Sequence, residues 1–405
     1  MKVNLSKLMA LLVLTALLLS ACAPAATQPA PAAEEPTVEE PAEAEPTAVE
    51  PAEEESAEPT AQPAAEEPAA GPIVITDALG REVTLEQTPQ RIVVAGKAAF
   101  MIIDALYAFP EAKERVVALG NAQQGPRGFI PLIEPRYNEI TILENEVGAE
   151  QVAAERPDLV ILKTIVKEDL GDPLESIGIP VVYVNFETPE QYTNDLQILG
   201  EALQNTARAQ ELIDYYAAQQ DEIVAATAGL ADEQKPRVLL LYYNDRDGEV
   251  AFNVPPLSYI QSTLIQQAGG LPVWQDIELG KGWTKVGFEQ IAAWDPDQVY
   301  LVAYTRDADQ VVAELQADPQ WQALRAAQEG QLYPVPNDFY SWDQPDTRWA
   351  LGLRWLASKI QPELFPQIDT VAEARQFYQF AYGLDEAAFD SQVLPLLTEL
   401  EAVND

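Results

Sequence analysis

The chain of 405 residues carries 65 acidic and 24 basic side chains, a formal charge of −41, with no histidine and one cysteine. Without histidine there is no Ser/His/Asp triad, no HExxH zinc site and no histidine-ligated haem, and one cysteine cannot close an intramolecular disulfide. So acidic a surface repels phosphate backbones, so nucleic acid is not an expected partner.

In chain order, the first 22 residues, MKVNLSKLMALLVLTALLLSAC, place Lys2 and Lys7 before an apolar run from Leu8 to Leu19. The run is too brief and too asymmetrically flanked for a settled membrane span, and it reads as an export signal. Its end, Leu19, Ser20, Ala21 and Cys22, resembles the lipobox of bacterial lipoproteins. The resemblance implies that Cys22 is lipidated, becomes the new N-terminus and anchors the chain outside the cytoplasm. An ordinary signal peptide ending near a cysteine is the plainer alternative.

Ala23 to Gly71 is almost entirely Ala, Pro, Glu and Thr, with 13 Glu and no Lys or Arg. Like charges and regularly spaced proline keep such a segment extended, so it reads as a disordered, semi-rigid tether with no core of its own. Removing those 13 glutamates and the two signal lysines from −41 leaves −30 on residues 72–405. These residues are enough for two lobes with separate cores.

Short β-branched runs then alternate with helical stretches. RIVVAG from Arg91, RVVALG from Arg115, DLVILK from Asp158 and PVVYVN from Pro180 predict parallel α/β layers in a first lobe, residues 72–190. The pattern restarts with RVLLLYY from Arg237, QVYLVAY from Gln298 and QLYPVP from Gln331, a second lobe over residues 236–405. Linking helices fill residues 191–235. Tyr192, Leu196, Leu199 and Leu203 keep a helical rhythm, Asn205 and Thr206 mark a break and a new N-cap, and Ile213, Tyr216, Ile223 and Val224 resume it. The second stretch, Thr206 to about Ala228, is roughly 35 Å long, a stiff strut able to reach both lobes. The expected fold is α/β, two similar lobes with central parallel sheets joined by one long rigid helix.

An internal repeat supports the duplication. Residues 147–162, VGAEQVAAERPDLVIL, and residues 286–301, VGFEQIAAWDPDQVYL, are identical at ten of sixteen positions. Each copy reads as a short helix, a Pro-Asp turn and a buried strand, with Glu150 and Glu289 in the first helical turn, where the helix dipole favours a carboxylate. That preference alone accounts for both acids.

Over nearly all of residues 73–395 the chain resembles the substrate-binding proteins of ABC importers for ferric siderophores, haem and cobalamin. The resemblance rests on ITDALGREVTLEQTPQRIVVAG, EQVAAERPDLVIL, the linking helix, GWTKVGFEQIAAWDPDQVYLV and SWDQPDTRWALGLRWLASKIQPELF, in that order and spacing. It implies two α/β lobes joined by a long helix, with ligand in the cleft between them and little closure. It also implies that Glu150 and Glu289 dock onto arginines of a membrane permease. Charge pairs of this kind contribute more to orientation than to affinity.

Cleft residues come from loops after strands. In the first lobe these are Lys97, Arg127 and Lys163; in the second, Arg246, Lys281, Trp283, Tyr304, Arg306, Tyr340, Trp342 and Arg348. Basic residues converging on a cleft would mean an anionic ligand, and aromatic rings suit flat or bulky chelates. Each Lys or Arg taken singly reads equally as a solvated partner of nearby acids. Tyr242 and Tyr243 end a strand where alternation sends only one of them into the cleft. Trp349, Leu353, Leu356 and Ile360 recur at helical spacing and read as core.

The functional expectation is a lipid-anchored component of an ABC importer. It captures a ferric siderophore or another metal chelate, such as cobalamin or haem, and hands it to the permease and its ATPase. It does no covalent chemistry, holds no cofactor or metal of its own, meets the membrane only through its anchor, and is expected to be a monomer. The stretch from Ser341 also looks like the molybdate- and tungstate-binding branch of the family, which keeps a bare oxyanion as the alternative ligand. A glycoside hydrolase using paired carboxylates is the competing enzyme class. The repeat opposes it, since it puts the two glutamates on separate lobes, whereas that chemistry needs carboxylates roughly 5–10 Å apart.

Overall fold

Why the β-branched runs form sheets is visible in their burial. Ile92–Val94 (β3), Leu159–Lys163 (β6) and Val181–Val184 (β7) are buried at every position, as expected of strands covered on both faces. A computed structural model describes residues 71–122, 128–245, 248–277 and 279–397. The export signal with Cys22, the tether up to residue 70, and Arg127 and Arg246 lie outside the described residues. In the first lobe β3, β6 and β7 join Val116–Gly120 (β4) and Thr141–Leu143 (β5) in an all-parallel sheet of order β5-β4-β3-β6-β7. An antiparallel hairpin, Ile73–Thr76 (β1) with Glu82–Leu85 (β2), sits beside β7, where Ala78 N donates to Tyr183 O at 2.9 Å.

The second sheet is separate and consists of β8 to β13, namely Arg237–Asn244, Ala251–Val254, Leu271–Pro272, Thr284–Val286, Gln298–Val302 and Leu332–Pro334, in the order β11-β9-β8-β12-β13 with β10 also paired to β8. Arg237–Asn244 (β8), Leu271–Pro272 (β10), Gln298–Val302 (β12) and Leu332–Pro334 (β13) run parallel, as the α/β alternation predicts. Ala251–Val254 (β9) and Thr284–Val286 (β11) are antiparallel, which departs from the expected all-parallel layer. The reason is local: β9 begins seven positions after β8 ends. A parallel crossover needs about a dozen residues or more, so the chain turns back as a hairpin.

The two copies of the repeat fold alike. Gly148 and Gly287 share nearly the same extended backbone before Ala149–Ala154 (α2) and Phe288–Trp294, and the residues before the two prolines, Arg156 and Asp295, both take positive φ, 52° and 43°. The aspartate after each proline then locks the neighbouring strand. Asp158 accepts from Arg91 N at 2.8 Å and donates its own N–H to Arg91 O, while Asp297 does the same with Arg237 at 2.7 and 2.8 Å. Ten identities therefore encode one structural unit used twice.

Between the lobes, Pro189–Leu203 (α3) ends at Gln204, and Asn205 caps Thr206–Thr227 (α4) by accepting from Arg208 N at 3.1 Å. At the start of α4, Arg208 donates to Ala108 O of the first lobe at 2.9 Å; at its end, Thr227 donates to Gln267 O of the second lobe at 2.8 Å. The helix is roughly 33 Å long. Phe288–Trp294 (α5) and Ala308–Ala317 (α6) precede Trp349–Ile360 (α7), on which Trp349, Leu353, Leu356 and Ile360 are buried, as their spacing predicts. Thr370–Tyr382 (α8) packs beside it. Among the described residues no helix is long and apolar enough to cross a membrane.

Candidate functional site

In a parallel α/β layer each helix runs back against its strands, so helix N-termini and strand carboxyl ends share one side of the sheet. Glu150 and Glu289 stand on that side of their respective lobes, in the first turns of equivalent helices. Both are exposed, and no side-chain partner is seen for either among the described residues.

The second lobe groups four aromatic rings, with Tyr242 of β8 among them. Tyr242 on β8 lies 4.7 Å from Tyr304, which follows β12, and 5.4 Å from Trp283, which precedes β11; Tyr259 is 6.3 Å from Trp283 on the other side. All four are half-buried. Alternation holds as expected: Tyr243 turns to the opposite face, against Phe252 at 5.9 Å and under the Arg306 guanidinium at 5.5 Å. The wall is anchored from behind. The Tyr304 hydroxyl donates to Asp343 Oδ2 at 2.7 Å, Gln261 to the same oxygen at 3.0 Å and Ser341 to Oδ1 at 2.6 Å. Burial pushes the Asp343 carboxyl up and these three donors pull it back.

The basic residues are arranged differently from expectation. Lys97, in the turn after β3, and Lys281 are exposed. Arg306 is held by Glu314 at 2.6 Å with Asp245 at 3.8 Å. Lys163, the last residue of β6, is turned inward at 1% exposure; its ammonium meets the Glu187 carboxylate and Met101 Sδ, and burial lowers its pKa against the pull of Glu187. Trp342 and Arg348 are fully enclosed rather than cleft-lining. The indole of Trp342 donates to Asp338 at 3.0 Å, and Arg348 is neutralised by carboxylates inside the molecule. A guanidinium cannot be left unpaired in an apolar interior, and here its partners are the molecule's own acids. Tyr340 is nearly as buried. It bridges the lobes, stacked on Phe100 at 5.1 Å and donating to Ala122 O at 2.6 Å, beside a cavity of about 30 Å³ lined by Gly120, Asn121 and Phe129.

The sequence reading missed Tyr259, Asp343 and Asp104. Asp104 is the one charged residue in the apolar helix AFMIIDALY, Ala99–Tyr107 (α1). A lone acid among such neighbours signals a buried, partnered group.

Residues 135–339, a little more than half of the chain, match the family model described as periplasmic binding protein, and the chain belongs to that family. Membership places it outside the cytoplasm, in a class that works with a membrane permease and its ATPase. The molybdate-binding protein MolA of Haemophilus influenzae is 24% identical over 334 residues, covering 76% of this chain and 90% of that protein. The Fe(3+) dicitrate-binding periplasmic protein FecB of Escherichia coli is 26% identical over 265 residues, 64% of this chain and 80% of its own. Among solved structures, a periplasmic solute binding protein from Veillonella parvula superposes with a TM-score of 0.65 at 24% identity, covering 80% of this chain and 98% of that one.

Proposed function

We propose that the chain is the lipid-anchored substrate-binding component of an ABC importer, capturing a ferric siderophore or another metal chelate and delivering it to the permease. The observation that carries the ligand class is the wall of Tyr242, Tyr259, Trp283 and Tyr304 in the second lobe. Four half-buried rings offer broad apolar contact to a flat or bulky ligand and little to a bare tetrahedral anion. The likeness to the iron dicitrate-binding protein agrees with this reading. The likeness to MolA over most of both chains favours a second one, a molybdate- or tungstate-type oxyanion.

A thermal-shift panel of ferric siderophores, haem, cobalamin, molybdate and tungstate separates the two. A ligand at 100 times its dissociation constant stabilises the protein by about 2.7 kcal/mol. A shift with one chelate, lost in Trp283→Ala, is the expected result. A shift with molybdate or tungstate alone overturns the first reading in favour of the second, and no shift with any member overturns both.

The same reading assigns Glu150 and Glu289 to permease docking. Their exposure at matching positions on two lobes braced by α4 suits a rigid two-point contact with basic residues. Glu150→Ala and Glu289→Ala should each reduce ligand uptake by cells while leaving ligand affinity of the purified protein unchanged. Unaltered uptake in both variants removes the assignment.

A further inference from the structure

The lobes meet around one buried guanidinium. Arg348 Nη1 donates to Asp104 Oδ2 of α1 at 2.7 Å, its Nε donates to Asp338 Oδ1 at 2.7 Å, and Asp346 Oδ2 lies 3.7 Å from Nη1. All four side chains are fully enclosed. Phe129 of the first lobe and Tyr340 of the second flank the guanidinium at 4.6 and 4.9 Å. From α8, the Tyr378 hydroxyl donates to Asp338 Oδ2 at 2.6 Å, and Tyr382 bonds Thr347 at 2.8 Å and the Asp104 carbonyl at 3.2 Å.

Charge does not balance in this hub. Three carboxylates face one guanidinium, and Asp104 Oδ1, Asp346 Oδ2 and Arg348 Nη2 have no hydrogen-bond partner among the described residues. A surplus of buried, unpaired negative charge is costly, and the cheapest remedy is a proton. The other groups facing the hub are Tyr340, Tyr378 and Tyr382, with Tyr192 on α3 and Tyr216 on α4. Burial pushes all of these phenols well up, so they stay neutral. Behind α1, Lys163 is already taken by Glu187. Asp104 and Asp346 are therefore the groups that titrate.

We infer that Asp104 and Arg348 form a proton-linked latch between the lobes, tightened when the Asp104 carboxyl takes a proton and loosened when it ionises. Burial holds the Asp104 pKa up at about 7 against its usual 3.8, with Arg348 opposing and Asp338 reinforcing the rise. Burial likewise holds Asp346 well above its usual range. The native state thus binds more protons than the unfolded chain between about pH 4 and 7. This contribution to stability is complete below about pH 4 and is lost as pH rises through 7. Outside the cytoplasm the pH follows the surroundings, so an acidic medium would stiffen the junction whichever ligand occupies the cleft.

The test compares thermal unfolding of the full chain with Asp104→Asn from pH 4 to 8.5. Asn keeps an acceptor for Arg348 without a charge to titrate. The variant should match the wild type at pH 4, gain on it steadily up to pH 7, and hold a constant advantage above. Parallel curves overturn the inference. Hydrogen exchange of the wild type gives a reading that needs no variant. Corrected for intrinsic pH dependence, protection of residues 99–107 and 337–349 should fall from pH 5 to pH 8 while that of β6 and β8 holds. Equal protection at both pH values in those two segments also overturns it.

Discussion

Arg348→Ala is expected to be the most damaging single substitution in the folded part of the chain. It removes the counter-charge of Asp104, Asp338 and Asp346 at a place with no solvent access. Breaking a buried pair by deleting one partner costs roughly 3–5 kcal/mol, because the remaining charge has neither water nor an ion to face. The guanidinium also fills the space between the Phe129 and Tyr340 rings, so the packing of the lobe junction is lost with it. A drop in melting temperature on the order of 10 °C follows at neutral pH. The deficit should shrink toward pH 5 as Asp104 and Asp346, held up by burial, take up protons. Arg348→Lys should recover only part of the loss, since a single ammonium cannot fork between Asp104 and Asp338. Urea midpoints within error of the wild type for Arg348→Ala would show that the hub is not what joins the lobes.

Gly352→Ala should destabilise although residue 352 lies within a helix. An alanine there ordinarily gains about 1 kcal/mol over glycine. In α7, however, a Cβ at residue 352 would overlap the Trp342 carbonyl oxygen and sit 3.0 Å from its carbonyl carbon. Both obstacles are backbone, so no side chain can swing aside. Either α7 or the segment from Asp338 to Arg348 must shift, a penalty typical of overpacking at about 1–3 kcal/mol. That segment also carries Tyr340 and the Asp343 anchor of Tyr304, so ligand affinity should weaken together with stability. A gain in urea midpoint for the alanine variant would refute the close approach of helix and loop.

How much of this was legible in the sequence differs from element to element. The runs RIVVAG, DLVILK, PVVYVN and QVYLVAY are strands because buried β-branched runs bounded by polar turns have few other stable states. Asn205 was readable as a cap because its side chain acts on a backbone N–H three residues away. The repeat disclosed the duplication, and Arg156 and Asp295 take matching positive-φ conformations in its two copies. The antiparallel β9 and β11 were missed: they are short, only partly buried, and lie where no run of apolar residues marks them.

The site residues divide along another line. Residue type and position near strands singled out Trp283 and Tyr304, which the structure groups around Tyr242, and Tyr340, which it places at the junction of the lobes. Neither could reveal that Lys163, Trp342 and Arg348 turn inward, because facing direction depends on which acids the fold brings alongside. Asp104 and Arg348 are 244 residues apart, and only the docking of one lobe on the other makes them a pair. By itself, then, the sequence determined the elements, the duplication and the class of fold, all of which follow from interactions within short stretches of chain. The tertiary structure decided which charges are spent inside the molecule and which stay exposed. Desolvation and pairing are set by neighbours distant in sequence, and no local pattern encodes them.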